Sequence, residues 1–584
     1  MRHFAKIAIG FLLAATACQA PRSPAPILTT GVPGVLGYWL HQVEDQGPVK
    51  IKGLTIYAPG LAREFYSQRK FQPAWLRLDQ PGPMAENLLK VLQQAEREGL
   101  RPEEYHLKDI QSCLRRLKQQ APSAPPDENA VLTAASLDLL LTDAFFLYAE
   151  HLLHGRIDPT GLEVKFPGDP EPFPHVAYLE QTLARGRVEL GLAGLSMTHP
   201  DYVKLKAALA QYRELAGRMG HLALPAAPGL RLGDRDPRRV PMLRVKLGLL
   251  GDLPQVTAKD ETLFNQQVAD GIKRFQERHG LPPSGELDPE TLAWLNRPPA
   301  QDLAALELNL ERWRWMRNLQ EQPRYILVNI PAFSLNVIER HRPMLSMRVV
   351  VGQTINRTPI FSDALRFIVL NPFWEIPPAI LVRDKLYGLR YEADFFERHQ
   401  IEVLRGWGSN ERQVDPKTVE WRKVSLQDLT EKYRFRQSAG PNNPLGRIKF
   451  MFPNEFNVYL HDTPSRQLFS AEVRSFSSGC IRLEKPVELA VYCLRDEAFW
   501  NARRVKAALA GKVEQKIKLT RPIPIHILYW TAWVDAQGII HFRRDIYGWD
   551  AALQKIWRER MRLPVGTNQG PAGRPDGPAA PGRP

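Results

Sequence analysis

The strongest constraint on what this chain can fold into is a change of hydrophobic period partway along it. Over residues 53–224 apolar side chains recur at threes and fours, which predicts helices. After a further helical stretch at 303–318, short β-branched runs take over at 325–330, 334–338, 347–351 and 367–370. Pro, Gly and Asn separate these runs, which predicts strands. At 584 residues the chain is too long for one core, so three or four domains are expected. Residues 131–153 are apolar on more than one face and predict a central buried helix. Pro-rich breaks near 121–126 and 167–174 separate helices.

Hydrophobic content of 44% and charged content of 24% suit soluble globular protein. The net charge of +15 favours polyanions, but nucleic acid, anionic lipid and cell wall would all satisfy it. No zinc knuckle, helix-turn-helix or P-loop spacing occurs, so no nucleic-acid partner is expected. Arg312, Arg314 and Arg317 sit in amphipathic stretches and read as a solvated face. Arg2 and Lys6 precede an apolar run at 7–17, too short for a bilayer and suited to a signal peptide over 1–17. Ala15-Thr16-Ala17-Cys18 suits lipoprotein processing with Cys18 as a lipid anchor, and its Ala-x-Ala also suits ordinary cleavage. Beyond the leader, Cys113, Cys480 and Cys493 remain, an odd count that points to one thiol kept free in an oxidising compartment. Cys493 reads as core, Cys113 has no partner pattern, and a bridge between them stays open.

The chemistry-bearing pattern lies late in the chain. His461-Asp462-Thr463-Pro464 precedes Ser477-Ser478-Gly479-Cys480-Ile481-Arg482, with His461 and Cys480 19 residues apart. A thiol needs a base before it attacks a carbonyl, and that spacing puts His461 on a neighbouring strand. Gly479 lets backbone pass close to a reacting carbonyl, with nearby N–H groups as oxyanion donors. Alternation over 456–461 predicts a strand that turns Asn457, Tyr459 and His461 to one face. The bland reading, a buried small Cys and an unrelated His, lacks an account of that shared face.

These residues resemble the signature of the bacterial L,D-transpeptidases, and Ser478, where the commonest form has a second His, resembles the large Gram-negative branch. Residues 65–75, 95–100, 140–145, 154–159, 371–378 and 527–532 extend the likeness over most of the chain. Phe275-Gln276-Glu277-Arg278-His279-Gly280-Leu281 with Leu287 and Thr291-Leu292 resembles a three-helix peptidoglycan-binding domain. The resemblance implies a multidomain α+β protein. Signal peptide (1–17) and linker (18–50) are followed by a helical scaffold (51–228) and a peptidoglycan-binding-like domain (229–298). A mixed β-sandwich catalytic domain (299–562) then carries a capping insertion at about 384–443, before a disordered tail (563–584).

The activity implied is acyl transfer in the periplasm of a Gram-negative bacterium. Cys480 attacks a tetrapeptide stem of peptidoglycan, D-Ala leaves, and a second stem's amine completes a 3-3 cross-link. His461 is the base, Asp462 orients it, and Gly479 and Ser478 shape the oxyanion loop. Arg482 holds a stem carboxylate or forms a structural salt bridge, while Tyr459 and Trp374 line the cleft. No metal or other cofactor is required, and carbapenems are expected inhibitors. Two alternatives share the residues: the same thioester passed to water, a D-amino acid or a lipoprotein lysine, and a non-catalytic wall-binding lipoprotein.

Overall fold

The computed structural model describes residues 31–43, 47–119, 127–159, 164–165, 172–219, 222–254 and 260–560. The expected leader, Cys18 and the tail at 563–584 lie outside the described residues. Helix α1 (Gly31–His41) occupies part of the segment expected to be a linker. Its Val32, Val35, Leu36 and Leu40 are fully buried in the scaffold core, so this part of 18–50 is structural. The Pro and Gly content there masked an apolar three-and-four spacing.

Helix α2 (Glu128–Leu153) is long and apolar enough to cross a bilayer, yet it is the buried axis of the scaffold. Asp127 caps it by accepting from the Ala130 N–H. Two of its carboxylates are wholly buried, which requires hydrogen-bond partners. Asp138 accepts from the Tyr66 hydroxyl and from the Ala74 and Trp75 N–H groups. Asp143 accepts from the Tyr57 and Ala58 N–H groups and meets His106. The axis is thereby tied to the chain that precedes it.

Three helices follow, α3 (Arg239–Leu249), α4 (Gln266–His279) and α5 (Pro289–Leu295). Val268, Ile272 and Phe275 of α4 are buried together. Gln276 reaches Ser284, Glu286 and Thr291 at 3.0 Å each, and Arg278 pairs with Asp252 at 2.6 Å. These motif residues therefore face inward and hold the three helices in register.

Helix α6 (Pro299–Arg314) corrects the solvated-face expectation. Arg314 and Glu311 pair at 3.1 Å with both side chains fully buried, and Arg312 meets Asp550 at 2.5 Å. Glu311 also accepts from the Arg156 and Ile157 N–H groups of the scaffold. Alternating charge on a helix looks solvent-facing in sequence, but here Asp550, the scaffold backbone and a pair within the helix satisfy these groups.

The catalytic region is a mixed sheet of β1 (Arg324–Asn329), β2 (Ser334–Glu339), β3 (Arg342–Gly352) and β4 (Ile360–Leu370), continued after an insertion. The insertion is an antiparallel sheet of β5 (Trp374–Glu375), β6 (Ile401–Arg405), β7 (Arg412–Val414) and β8 (Tyr433–Gln437) with its own apolar cluster. It begins at Trp374, earlier than the residue 384 expected. The main sheet resumes with β9 (Ile448–Met451), β10 (Leu460–His461), β11 (Ser475–Ser477), β12 (Ile481–Leu483) and β13 (Gln515–Leu528). Its order is β9-β10-β12-β3-β2-β1-β13-β4, with Val164–Lys165 added parallel to β4, and β9 pairs with β4 as well as β10. The two expected layers are thus one sheet bent until its ends meet.

Among the described residues Cys113, Cys480 and Cys493 are all free. Cys113 and Cys493 lie in separate cores, and burial pushes their thiols up to about 11 and about 12. Removing one partner of a buried ion pair strands the other charge, at a cost of about 3–5 kcal/mol. Glu311→Ala is therefore expected to lower the thermal unfolding midpoint by several degrees. An unchanged midpoint by calorimetry would show that α6 does not depend on this pair.

Candidate active site

The site is built by strand pairing. β10 lies parallel to β12, with Leu460 opposite Ile481 and His461 opposite Arg482. The Ile481 N–H reaches the Tyr459 carbonyl at 3.1 Å, which sets Tyr459 beside Cys480. β9 flanks β10 on its other side and places Lys449 opposite His461. Side chains alternate across a sheet, so register neighbours share a face. Lys449, Tyr459, His461, Cys480 and Arg482 therefore converge on one face.

The strand expected over 456–461 shortens to Leu460–His461. Asn457 adopts a left-handed φ of 54°, and Asn454 closes the preceding turn by donating to the Phe452 and Val458 carbonyls. The detour turns the Asn457 carbonyl to the thiol, with Cys480 Sγ 3.8 Å from its oxygen.

His461 is buried, and its Nδ1 lies 2.5 Å from the Asp462 carbonyl oxygen. Nδ1 thus carries the proton, which leaves Nε2 with a lone pair to act as base. The Asp462 carboxylate is used elsewhere, accepting from the Arg447 N–H at 2.9 Å and the Thr463 N–H at 2.7 Å. Asp462 therefore orients the imidazole through its backbone alone. Burial, then Arg482 and Lys449, push the His461 pKa down to about 3. Burial pushes the Cys480 thiol up, while Tyr459, Lys449 and Arg482 pull it back. The resting pair is a neutral thiol and a neutral imidazole.

The turn before Cys480 has a division of labour that the motif conceals. Ser477, not Ser478, shapes it: Ser477 Oγ donates to the Cys480 carbonyl at 2.5 Å and accepts from the Gly479 N–H at 3.1 Å. Gly479 has φ 115°, which strains any other residue. Its carbonyl accepts from Thr358 Oγ1 at 2.8 Å, and Thr358 Oγ1 accepts from the Gly352 N–H. Tyr547 braces the same corner through the Gly352 carbonyl at 2.5 Å. No described acceptor takes the Cys480 N–H, which leaves it as an oxyanion donor. Ser478 is exposed and accepts from Arg383 of the insertion at 3.3 Å, so the cap touches the catalytic turn.

Trp374 falls outside the group. It is buried in the cap's apolar cluster and makes no hydrogen bond or ring pairing with Cys480 or His461. Tyr459, packed against that same cluster, has its ring 5.7 Å from His461 and helps pull the Cys480 thiol's pKa down.

Arg482 forms no salt bridge, and its buried Nε has no partner among the described residues. Lys449 was not singled out in the sequence and is in the same condition. Its Nζ lies 3.9 Å from the Tyr459 ring centroid, without a hydrogen bond or ion pair among the described residues. Burial pushes its pKa down and Cys480 pushes it up. The one available signal was a lysine alternating with apolar residues in Ile448-Lys449-Phe450. Among the described residues no group of three or more His, Cys, Asp or Glu forms a metal site. Two cations without countercharge facing a thiol and a neutral base make a site suited to nucleophilic attack on an anionic substrate.

Reactivity follows the thiolate, so iodoacetamide labelling of Cys480 should rise through the ordinary thiol range and above it, with no plateau between pH 5 and 8. Lys449→Met should slow labelling at pH 7.5 about tenfold, or about one pKa unit, with Lys449→Arg close to the parent. A rate that Lys449→Met leaves unchanged would remove Lys449 from the thiol's environment.

Family models match three parts of the chain. They are described as "Scaffold domain" (residues 60–209), "Putative peptidoglycan binding domain" (239–295) and "L,D-transpeptidase catalytic domain" (323–510). A Haemophilus influenzae protein named "Putative L,D-transpeptidase" is 34% identical over 248 residues, which are 42% of this chain and 48% of that protein. The match thus spans about half the length of that curated relative. A solved L,D-transpeptidase structure from Xylanimonas cellulosilytica, 11% identical, aligns with 52% of this chain and 99% of its own at a TM-score of 0.16. A fused Zn-dependent amidase/peptidase/peptidoglycan-binding domain-containing protein from Clostridium acetobutylicum, also 11% identical, aligns over 52% and 100% at 0.13. Similarity at those scores carries no argument. The family models and the curated relative carry one: residues 323–510 match the L,D-transpeptidase catalytic domain, with a scaffold-domain match and a peptidoglycan-binding-domain match ahead of them.

Proposed function

We propose that the protein is a cysteine-dependent L,D-transpeptidase that joins peptidoglycan stems by 3-3 cross-links. The observation that carries this reading is the convergence of Cys480 with a neutral, backbone-oriented His461 and two unpaired cations, within a domain of that family. His461 Nε2 takes the thiol proton as Sγ attacks the carbonyl between the third residue and D-Ala of a tetrapeptide stem. The Cys480 N–H receives the oxyanion. The imidazolium then gives its proton to the departing D-Ala amine, leaving a thioester. The side-chain amine of a second stem attacks that thioester, His461 takes its proton and returns it to Sγ, which leaves as the thiol.

Substrate charge assists the base. Arg482 and Lys449 hold the imidazole's proton affinity down, and a stem carboxylate set against them cancels that repulsion. His461 then becomes a stronger base when the cleft is filled. The cap, touching the catalytic turn through Arg383, limits water, which favours transfer to an amine over hydrolysis. The proposed setting is the periplasm of a Gram-negative bacterium, with Cys18 as lipid anchor. Carbapenems are proposed to acylate Cys480 through their strained carbonyl.

Muropeptide mass spectrometry after incubation with tetrapeptide stems is expected to show 3-3 dimers, absent with Cys480→Ala. Tripeptides without dimers would move the reading to hydrolysis. His461→Ala is expected to lower transfer by about a hundredfold or more; near-normal transfer would assign the base elsewhere. Carbapenem incubation should add one adduct mass to the parent and none to Cys480→Ala, and an unmodified parent would contradict the thioester chemistry.

A further inference from the structure

A groove of about 350 Å3 lies outside the catalytic cleft, between the C-terminal end of α4 and the catalytic region. Residues 279–283 form one wall, and residues 331–333 and 470–474 with Arg543, Arg544 and Ile546 form the others. The volume is that of a small-ligand site, and its walls come from two different domains, where such sites concentrate.

Its charge is unbalanced. Arg474 donates to three carbonyls, Val349 at 3.3 Å, Ala471 at 2.8 Å and Phe333 at 3.3 Å, and pairs with no carboxylate among the described residues. Arg543 donates through Nη1 to the Arg278 carbonyl at 2.9 Å and the Phe542 carbonyl at 2.7 Å. Its Nε and Nη2 donate to no described acceptor, and it too lacks a carboxylate. Carbonyls satisfy donors but leave the charge in place. Burial lowers both arginines to a pKa of about 10, helped by Arg348 beside Arg474 and by Arg474 beside Arg543, which is the cost of leaving them unpaired. The acids nearby are committed, Glu484 to Arg348, and Glu290 and Glu472 to Arg544. An anion is the ligand class that relieves this arrangement.

The position narrows the class. The wall at 470–474 runs directly into β11 and the Cys480 turn, and the Val351 N–H holds the Arg474 carbonyl at 2.9 Å. The opposite wall belongs to the domain matched as peptidoglycan-binding. We propose that this groove is a carboxylate-binding subsite, formed by Arg543 and Arg474, for a peptidoglycan stem peptide outside the cleft. The ligand's identity rests on the transpeptidase reading; the anion preference rests on the groove alone. A Cβ at Gly280 would meet the Arg543 side chain at 2.7 Å, so glycine at the α4 terminus is what lets Arg543 lie across the junction.

The test uses the full chain with Cys480→Ala, so that binding is read without turnover, and a fluorescent tetrapeptide stem with free carboxylates. Anisotropy should show saturable binding that Arg543→Gln weakens about tenfold, the effect of losing one charged hydrogen-bond partner. Amidating the peptide's carboxylates should weaken binding to the parent by a similar factor and to Arg543→Gln by much less. Glu472→Gln removes the one carboxylate in the groove and should tighten binding several-fold, a gain that misfolding cannot mimic. No binding by the parent, equal binding by Arg543→Gln, or no gain in Glu472→Gln would each overturn the subsite. Groove binding in a protein that makes no 3-3 dimers would strike the chemical reading and leave an anion-binding groove standing.

Discussion

The parallel pairing of β10 with β12 is the constraint on which the site depends. It is two residues long on one strand, yet it fixes which side chain stands beside which. A one-residue slip would send every side chain of a strand to the opposite face. Here it would take His461 away from Cys480 and bury Arg482. The register is held from outside the pair, by β9 against β10, by β3 against β12, and by the closure of the sheet through β4. The turn between β11 and β12 is held as firmly, by Ser477 from within and by Thr358 and Tyr547 from behind. The thiol is thus presented by a rigid corner, as pre-organised chemistry requires.

The electrostatics of the corner follow from what surrounds it. His461 lies in the interior with two cations near, so at rest it stays neutral, with its single ring proton on Nδ1. Cys480 is partly exposed, and burial of its sulfur works against the thiolate more than its neighbours work for it. In the proposed function, a site in that state stays quiet until a substrate brings negative charge to Arg482 and Lys449. Arg474 and Arg543, in the groove beyond the Cys480 turn, repeat the arrangement of cations without acids.

Much of this was legible in the sequence because periodicity and motif spacing are local. The switch of period separated the helical scaffold from the strands, and the His461–Cys480 spacing placed both residues at one site. What escaped was decided by tertiary partners. The charges of α6 read as a solvated face because Asp550 and the scaffold backbone that satisfy Arg312 and Glu311 are distant in sequence. Helix α1 was hidden by its Pro and Gly content, since only a core to pack against makes Val32, Val35 and Leu36 informative. Ser477 and Ser478 cannot be told apart by composition; the turn's geometry sends one inward and the other to Arg383. Lys449 was invisible because a single lysine in a strand carries no signal until the opposite residue is known to be His461.

The central claim is that the resting base is a neutral imidazole with its proton on Nδ1. Nitrogen-detected NMR of the protein labelled with 15N-histidine tests it directly, with the His461 resonances assigned against His461→Gln. The account predicts a neutral Nδ1–H tautomer unchanged from pH 8 down to pH 5, because the imidazole's pKa is held down to about 3. An imidazolium at pH 7 would contradict it, and would mean that thiolate and imidazolium are already formed before substrate arrives.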